Sequence, residues 1–284
     1  MKLIIANAEK AQQWIELFKV IKHLNSYTTI CSRKDEVFIQ IMDDSQVCLM
    51  NVTIESPWFD TYECDPVEGS GETFSFLSNI MVKILQLYSP GTTLCMYTKN
   101  EKLTIQFQYK DKSEKLFELN LVDVEKDVLD SQNIEGSVEF EINTKVFDKY
   151  VSEMILFGEN MEFVCYQENI YMKSYGDEGM YTLKLPHDSM EELIVEDDLK
   201  LKTKVSLKYL SYITKIHPVF NTITMKVRPD APIQVDILDE YIEVRYYIAP
   251  KISDHDEEED EGDFHEYDQN TESDFEHLEN EVIS

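Results

Sequence analysis

The residues in this sequence best suited to bind another molecule are lysines in the stretch 199–229, LKLKTKVSLKYLSYITKIHPVFNTITMKVRP. It holds seven basic residues and no acid, although the chain has 56 Asp or Glu, 26 Lys or Arg and a formal net charge of −30. Lys204, Lys208 and Lys215 are four and seven residues apart, so a helix would present them on one side. Lysines without base-reading partners contact phosphates nonspecifically. The stretch therefore predicts a local positive surface for a polyanion.

Three further segments have the apolar period of a helix, at 7–24, at 75–88 and from residue 144 onward. On the polar side of each segment, basic residues outnumber acidic ones. A single helix of this kind is commonly plain solvent-facing surface, whereas four of them in so acidic a chain favour one continuous positive surface. The lysines predicted on these polar sides are Lys19, Lys22, Lys83, Lys145, Lys149, Lys204, Lys208 and Lys215.

Catalytic and metal chemistry find little support in the sequence. Three of the six histidines lie beyond residue 253, and the chain has no glycine-rich phosphate loop, HExxH motif or Ser/His/Asp set. The pair Asp43–Asp44 could be taken for a metal site, but a turn between two strands is favoured. The five cysteines include no CxxC pair. We therefore expect no enzyme activity, no cofactor, no bound metal and, without an apolar run of membrane length, no membrane association.

The elements that must position these lysines follow a repeated order of helix, strands, helix, strands. The segment 74–97 aligns with 205–227, about 129 residues later, and a repeat of this length is a whole domain. The predicted divisions are an N-terminal domain (1–122), a connector (123–135), a C-terminal domain (136–253) and an acidic tail (254–284). The tail has fifteen acids and no Lys or Arg, so we expect it to be disordered.

Four motifs in register carry a family resemblance: MDDSQV, FDTYECD, LKYLSYITK and YYIAPKI. From about residue 3 to residue 252 the chain resembles the eukaryote-type DNA sliding clamps, the proliferating cell nuclear antigen family. The piece SPWFDTYE has the character of clamps encoded by large DNA viruses. The resemblance implies an α+β fold of two tandem similar clamp domains, with helices on one face of antiparallel sheets and a homotrimeric ring of six domains.

The resemblance also implies a function in DNA replication and repair. A clamp encircles duplex DNA and makes a polymerase processive, and it acts with a clamp loader and with other proteins that carry a clamp-binding motif. The expected location is the nucleus, or a cytoplasmic replication compartment if a virus encodes the chain. The family's inner-wall positions correspond to Lys22, Lys83, Lys149, Lys208 and Lys215, while Lys19, Lys145 and Lys204 come from the helix pattern alone.

A second implied site is an apolar pocket for partner peptides beside the connector. Taken alone, YYIAP is equally well explained as a final core strand. Gln46 stands where family clamps often carry His, and the connector lacks their usual proline, so partner preference is expected to differ. The pocket positions are Met42, Gln46, Val47, Leu49, Leu129, Pro232, Tyr247, Ile248, Ala249, Pro250 and Ile252.

For the seam between subunits, the resemblance pairs the strand at 114–121 of one copy with the strand at 179–185 of the next. The implied contacts are Leu116, Phe117, Tyr181 and Leu183. Two alternatives to a closed clamp remain open. One is a clamp-fold processivity factor that binds DNA without closing a ring, and the other is an acidic interaction protein that mimics nucleic acid.

Overall fold

The structure, a computed structural model, describes residues 1–64, 71–124, 128–166 and 169–251. The predicted tail lies outside the described residues. The described residues of the first half form two helices and nine strands, with a 3₁₀ turn at Ser56–Trp58. These elements are β1 (Lys2–Ile5), α1 (Ala8–Leu24), β2 (Tyr27–Ser32), β3 (Glu36–Met42), β4 (Cys48–Glu55), β5 (Thr61–Glu63), β6 (Glu72–Leu77), α2 (Ser78–Leu85), β7 (Thr93–Lys99), β8 (Lys102–Gln108) and β9 (Glu114–Asn120).

In the second half, the residues that the structure describes repeat this order with two helices and nine strands, and include 3₁₀ turns at His187–Ser189 and Thr214–Ile216. Its elements are β10 (Val138–Asn143), α3 (Thr144–Met154), β11 (Asn160–Tyr166), β12 (Asn169–Gly176), β13 (Gly179–Lys184), β14 (Met190–Val195), β15 (Lys200–Ser206), α4 (Leu207–Ile213), β16 (Thr222–Val227), β17 (Ile233–Asp239) and β18 (Ile242–Ile248).

The strands form three antiparallel sheets. A nine-stranded sheet has the order β14-β10-β16-β17-β18-β4-β3-β2-β6 and contains strands of both halves. The halves meet where β18 pairs with β4, from Ile242 opposite Ile54 to Ile248 opposite Cys48. The two smaller sheets are β5-β1-β7-β8-β9 and β13-β12-β11-β15. The predicted α+β fold of two similar halves is thereby confirmed, whereas the exact domain boundaries stay predictions.

The helices pack on the sheets through their apolar sides. In α1, the Asn7 side chain accepts hydrogen bonds from the amides of Glu9 and Lys10 and so caps the helix. Trp14 and Phe18 are fully buried on this helix, and their rings pack 5.0 Å apart between centroids. One apolar core runs through both halves, because the shared sheet is buried on its helix side along its whole width.

Two of the four predicted helices begin later than the sequence pattern indicated. Ser75 and Phe76 belong to β6, and Lys204 belongs to β15. The prediction for Lys204 as a helix residue was wrong because residues 200–206 alternate in burial, with Leu201 and Val205 buried in the core. A period of two is the signature of a strand, and it takes precedence over the spacing of the lysines.

A buried carboxylate links the two halves beside their shared sheet. Asp43 accepts hydrogen bonds from the amides of Val47 and Cys48, both at 2.7 Å, and from the Tyr209 hydroxyl of α4 at 2.7 Å. The MDDSQV motif is therefore a turn between β3 and β4, as expected. Burial by itself raises the pKa of Asp43, but the hydrogen bonds from Cys48, Tyr209, Ser45 and Val47 outweigh it, so the net pKa is lowered.

We expect Tyr209→Phe to lower the free energy of unfolding at pH 7 by about 1.5–3 kcal/mol, because it removes a hydrogen bond to a buried charged group. A carboxylate with a lowered folded-state pKa stabilises the fold above its ordinary pKa of about 3.9, and this contribution is lost as the pH falls through the lowered value. The difference between variant and parent should therefore shrink below about pH 4. Chemical denaturation at several pH values measures it.

The matched control is Tyr212→Phe, the same change on the same helix. The Tyr212 ring stacks on His23, and its hydroxyl is not hydrogen-bonded within the described residues. At pH 7 the free energy of unfolding should fall clearly more for Tyr209→Phe than for Tyr212→Phe. Equal losses at every pH would contradict the proposed link through Asp43.

Candidate nucleic-acid interface, partner cleft and sheet edges

The four helices form one layer on the sheets, in the spatial order α2, α1, α4, α3. At the junction of the halves, the His23 ring of α1 stacks on Tyr212 of α4, with centroids 4.8 Å apart. On the other side, the Thr214 hydroxyl donates to Asp148 of α3 at 2.6 Å. The layer is thus continuous across both halves.

Seven of the eight predicted DNA-binding lysines lie on this helix layer. Their side chains are exposed, except that of Lys19, which is partly exposed. Because the other side of each helix is buried against the core, these amines lie on the side of the layer that faces solvent. They are Lys19, Lys22, Lys83, Lys145, Lys149, Lys208 and Lys215.

Three of these lysines have acidic partners on the layer itself. Lys19 lies 2.8 Å from Glu16, Lys215 lies 3.1 Å from Asp148, and Lys149 lies 3.7 Å from Glu153. Lys149 and Lys215 remain 73% and 61% exposed, so these pairs are worth little in water and leave both amines accessible to a phosphate. The sequence pattern did not indicate the pairing of Asp148 with Lys215.

Asp148 also fixes the junction between α3 and the 3₁₀ turn after α4. Partial burial raises its pKa, but hydrogen bonds from Thr214 and Lys215 and the charge of Lys215 outweigh that effect, so the net pKa is lowered. Asp148 is therefore ionised at neutral pH and holds Lys215 on the layer.

Lys204 is the predicted residue that the structure does not bring to this layer. Its neighbours Thr203 and Val205 point to the opposite face of β15, and Val205 is buried in the core beneath the helices. Lys204 therefore lies on the outer face of its sheet, where its amine donates to the Tyr175 hydroxyl at 2.8 Å.

The connector lies on the outer face of the nine-stranded sheet and is held there by amide side chains. Gln40 of β3 accepts from the Leu129 amide at 2.7 Å and donates to the Leu129 carbonyl at 2.9 Å. Further along, Gln234 of β17 accepts from the Ile134 amide at 2.8 Å and donates to Asn133 at 2.7 Å. These glutamines position the connector, and nothing in the sequence singled them out.

An open cleft of about 410 Å³ lies between the connector and the sheet. Of its ten lining residues, only Leu129 and Tyr247 were predicted as pocket residues. The buried Tyr247 hydroxyl has no hydrogen-bond partner among the described residues, so it can bond to an incoming group. The other lining residues are Phe38, Asn51, Thr53, Val128, Asp130, Ser131, Glu243 and Arg245.

Several predicted pocket residues lie together at the end of this cleft. Met42, Leu49 and Tyr247 are direct neighbours in one row across β3, β4 and β18. The Ala249 amide donates to the Val47 carbonyl at 2.8 Å, which brings Val47 and Ala249 beside that row.

The remaining predicted pocket residues that the structure describes lie outside this row and do not line the cleft. The Ile248 side chain is fully buried in the main core, so it does not line a surface pocket. Gln46 is exposed in the β3–β4 turn with a φ of 58°, and Pro232 directly precedes β17. Pro250 follows β18 and is partly exposed, whereas Ile252 lies outside the described residues.

The strands predicted for the subunit seam are β9 and β13, and each forms the end of one of the smaller sheets. Their outer backbone edges are thus unpaired within the described chain. Leu116 is 54% exposed on β9, whereas Phe117 packs its ring 5.7 Å from Phe107 of the core. On β13, Tyr181 and Leu183 are partly buried against the core.

Within the part of the chain that the structure describes, no group of three or more His, Cys, Asp or Glu side chains could hold a metal ion. None of the described helices has the length and apolar character needed to span a membrane.

Two comparisons with known proteins agree with this geometry. Residues 4–131 match the family described as "Proliferating cell nuclear antigen, N-terminal domain". The chain is also 22% identical over 245 residues to "Proliferating cell nuclear antigen 2" of Drosophila melanogaster, which covers 85% of this chain and 94% of the fly protein. Together these matches confirm the resemblance first seen in the sequence motifs: the chain is similar to proliferating cell nuclear antigen, over residues 4–131 by the family match and over most of its length by the fly protein.

Proposed function

We propose that this chain is a DNA polymerase processivity factor, which closes as a homotrimeric ring around duplex DNA. The observation that carries the proposal is the helix layer, which exposes lysines on one side of a strongly acidic protein. Even without residues 254–284, which contribute fifteen acids, the chain has 41 acidic and 26 basic residues. Most of its surface therefore repels DNA, and the helix layer is the place where a duplex is tolerated.

The chemistry of the layer suits sliding better than tight binding. Its lysines are point charges that neutralise phosphates, and they carry no information about base sequence. Exchange of each amine between neighbouring phosphates costs little, so the ring can move along the duplex. Retention then comes from topology, and a polymerase tethered to the ring rebinds its template before diffusing away.

Closure of the ring accounts for the two open sheet edges. β9 of one copy and β13 of the next would pair head to tail, and three such contacts close a cycle. An unpaired edge strand is prone to pair with other chains, so closure also removes a hazard of aggregation. A clamp loader would open this seam to admit DNA.

The cleft beside the connector is the proposed dock for polymerase and other proteins that carry a clamp-binding motif. The apolar row of Met42, Leu49 and Tyr247 can receive the apolar face of a short helix, and Leu129 of the connector lines the same cleft as Tyr247. The proposed role places the protein where DNA is replicated, which is the nucleus or, for a virus-encoded chain, a cytoplasmic replication compartment.

If the chain forms a homotrimer, its mass in solution is expected to be about 100 kDa, three times the 33.3 kDa of one chain. Leu116→Glu on β9 should convert this species to a 33.3 kDa monomer, because it buries a charge in the seam. Light scattering after size exclusion measures the mass. Leu238→Glu, at a residue that is 60% exposed on β17, is the matched control and should leave the mass unchanged. A monomeric parent protein would exclude the closed ring.

Replacing Lys83 and Lys208 together by Glu should reduce retention on circular duplex DNA by about tenfold or more at 0.1 M salt, since two phosphate contacts become repulsions. A nicked-plasmid retention assay and the salt dependence of retention measure the loss. The control, Lys34→Glu with Lys99→Glu, changes two exposed lysines that lie outside the four helices and the loops next to them. Equal retention of the two double variants would contradict the assignment of the layer.

Leu129→Ser should weaken the binding of a clamp-binding-motif peptide by about tenfold, because it removes an apolar contact over the cleft. Calorimetry measures the affinity. Val128→Ser changes the neighbouring cleft residue, which is 63% exposed against 45% for Leu129, and so should have a smaller effect. Retention on DNA should stay at the parent level for both variants. An unchanged affinity for Leu129→Ser would remove the cleft from the proposal.

A further inference from the structure

The outer face of the sheet β13-β12-β11-β15 carries a second cluster of lysines, away from the helix layer. Alternation along the strands places five of them on this face, opposite the residues that enter the core. We call this set the lysine face, and it comprises Lys173, Lys184, Lys200, Lys202 and Lys204.

The lysine face is separate from the main core, and its described strand positions carry few acids. Val164 and Tyr171 form a small buried cluster of their own on this side of the sheet. Among the described residues at strand positions of this face, Glu162 is the acid, and its side chain is only 11% exposed. Lys202 lies 3.7 Å from it. Among the described strand residues, this face therefore carries five amines and one nearly covered carboxylate, which makes the described part of it positive.

Tyrosine rings hold several of these amines at the surface. The Lys204 amine lies 4.7 Å from the centroid of the Tyr175 ring, and the Lys200 amine lies 5.9 Å from that of Tyr166. The Lys184 amine lies 5.9 Å from the centroid of the Tyr171 ring. A cation over a ring face keeps its charge and its hydrogen-bonding capacity, so the face is arranged to receive anionic groups.

The chain itself supplies an anionic segment at this place. The Lys251 amide donates to the Lys204 carbonyl at 2.7 Å, so the described chain ends beside the open edge of β15. Of the residues that follow, 254–263 hold eight acids and no base. Ten extended residues span roughly 33–36 Å, whereas four strands span only about 14 Å, so this segment can cross the whole face.

We propose that the segment 254–263 docks on the lysine face of its own molecule. Docking would place carboxylates against amines at the millimolar or higher effective concentration of a short tether. Docking would also screen the positive charge of the lysine face, so that duplex DNA would be attracted to the lysines of the helix layer alone. Asp197 and Asp198, in the turn before β15, repel the segment at one end of the face and favour a path over its centre.

Carbodiimide cross-linking of the full-length protein, followed by mass spectrometry, tests this proposal. It joins carboxylates to amines already in contact. We expect bonds from 254–263 to the lysine face, lost largely between about 0.05 M and 0.5 M salt as the Debye length shortens. A mixture of ¹⁵N-labelled and unlabelled chains identifies links within one molecule. Three results would overturn the proposal. They are cross-links to the helix layer in place of the lysine face, cross-links between labelled and unlabelled chains, and cross-links to the lysine face that are no more frequent than those to Lys34 and Lys110.

A matched pair of double variants isolates the charge of the face. Lys200→Gln with Lys202→Gln should reduce links to the remaining lysines of the face by about threefold or more, whereas Lys34→Gln with Lys110→Gln should leave them unchanged. Equal effects of the two double variants would show that the tail has no preference for the lysine face. The outcome is independent of ring closure and DNA binding, because it is read on the protein alone.

Discussion

Backbone pairing between β4 and β18 is the interaction on which the other features depend, because it makes one sheet out of strands from both ends of the chain. Seven residue pairs, from Ile242–Ile54 to Ile248–Cys48, fix the two halves in one register. The helices of both halves then cover the same face of this sheet as a single layer. The connector crosses the opposite face, where Gln40 and Gln234 hold it. Without this pairing, neither the continuous lysine layer nor the cleft would exist.

Separation of charge by surface is the second organising feature. The sheets have a core side and an outer side, and the chain uses this difference to keep two groups of lysines apart. One group lies on the helices, and the other lies on the outer face of the sheet that ends in β15. Hydrogen bonds also occupy two carboxylates beside α4, the buried Asp43 and the partly buried Asp148. An acidic protein can thus present positive surfaces without neutralising its net charge.

Prediction from sequence succeeded where a segment has one dominant period. Residues 8–24 and 144–154 form the expected helices, because Asn7 and Asn143 cap them and their apolar stripes are long. It failed at Ser75, Phe76 and Lys204, where a strand runs directly into a short helix. Apolar and polar residues alternate over 200–206, which indicates a strand. The helical spacing of Lys204, Lys208 and Lys215 was given more weight than this alternation. Ile248 was placed in the pocket although alternation along β18 sends its side chain into the core.

The sequence by itself determined the charge imbalance, the repeated order of elements and the motifs that carry the family resemblance, since each is a local or compositional property. Only the tertiary structure decided which lysines share a surface, because that depends on which side of a sheet each strand residue faces. It also decided where the connector lies, since Gln40, Gln234 and Leu129 are far apart in sequence and meet only after β3, β4, β18 and β17 have paired. Long-range pairing has no signature in any one segment, and the cleft and the lysine face both arise from it.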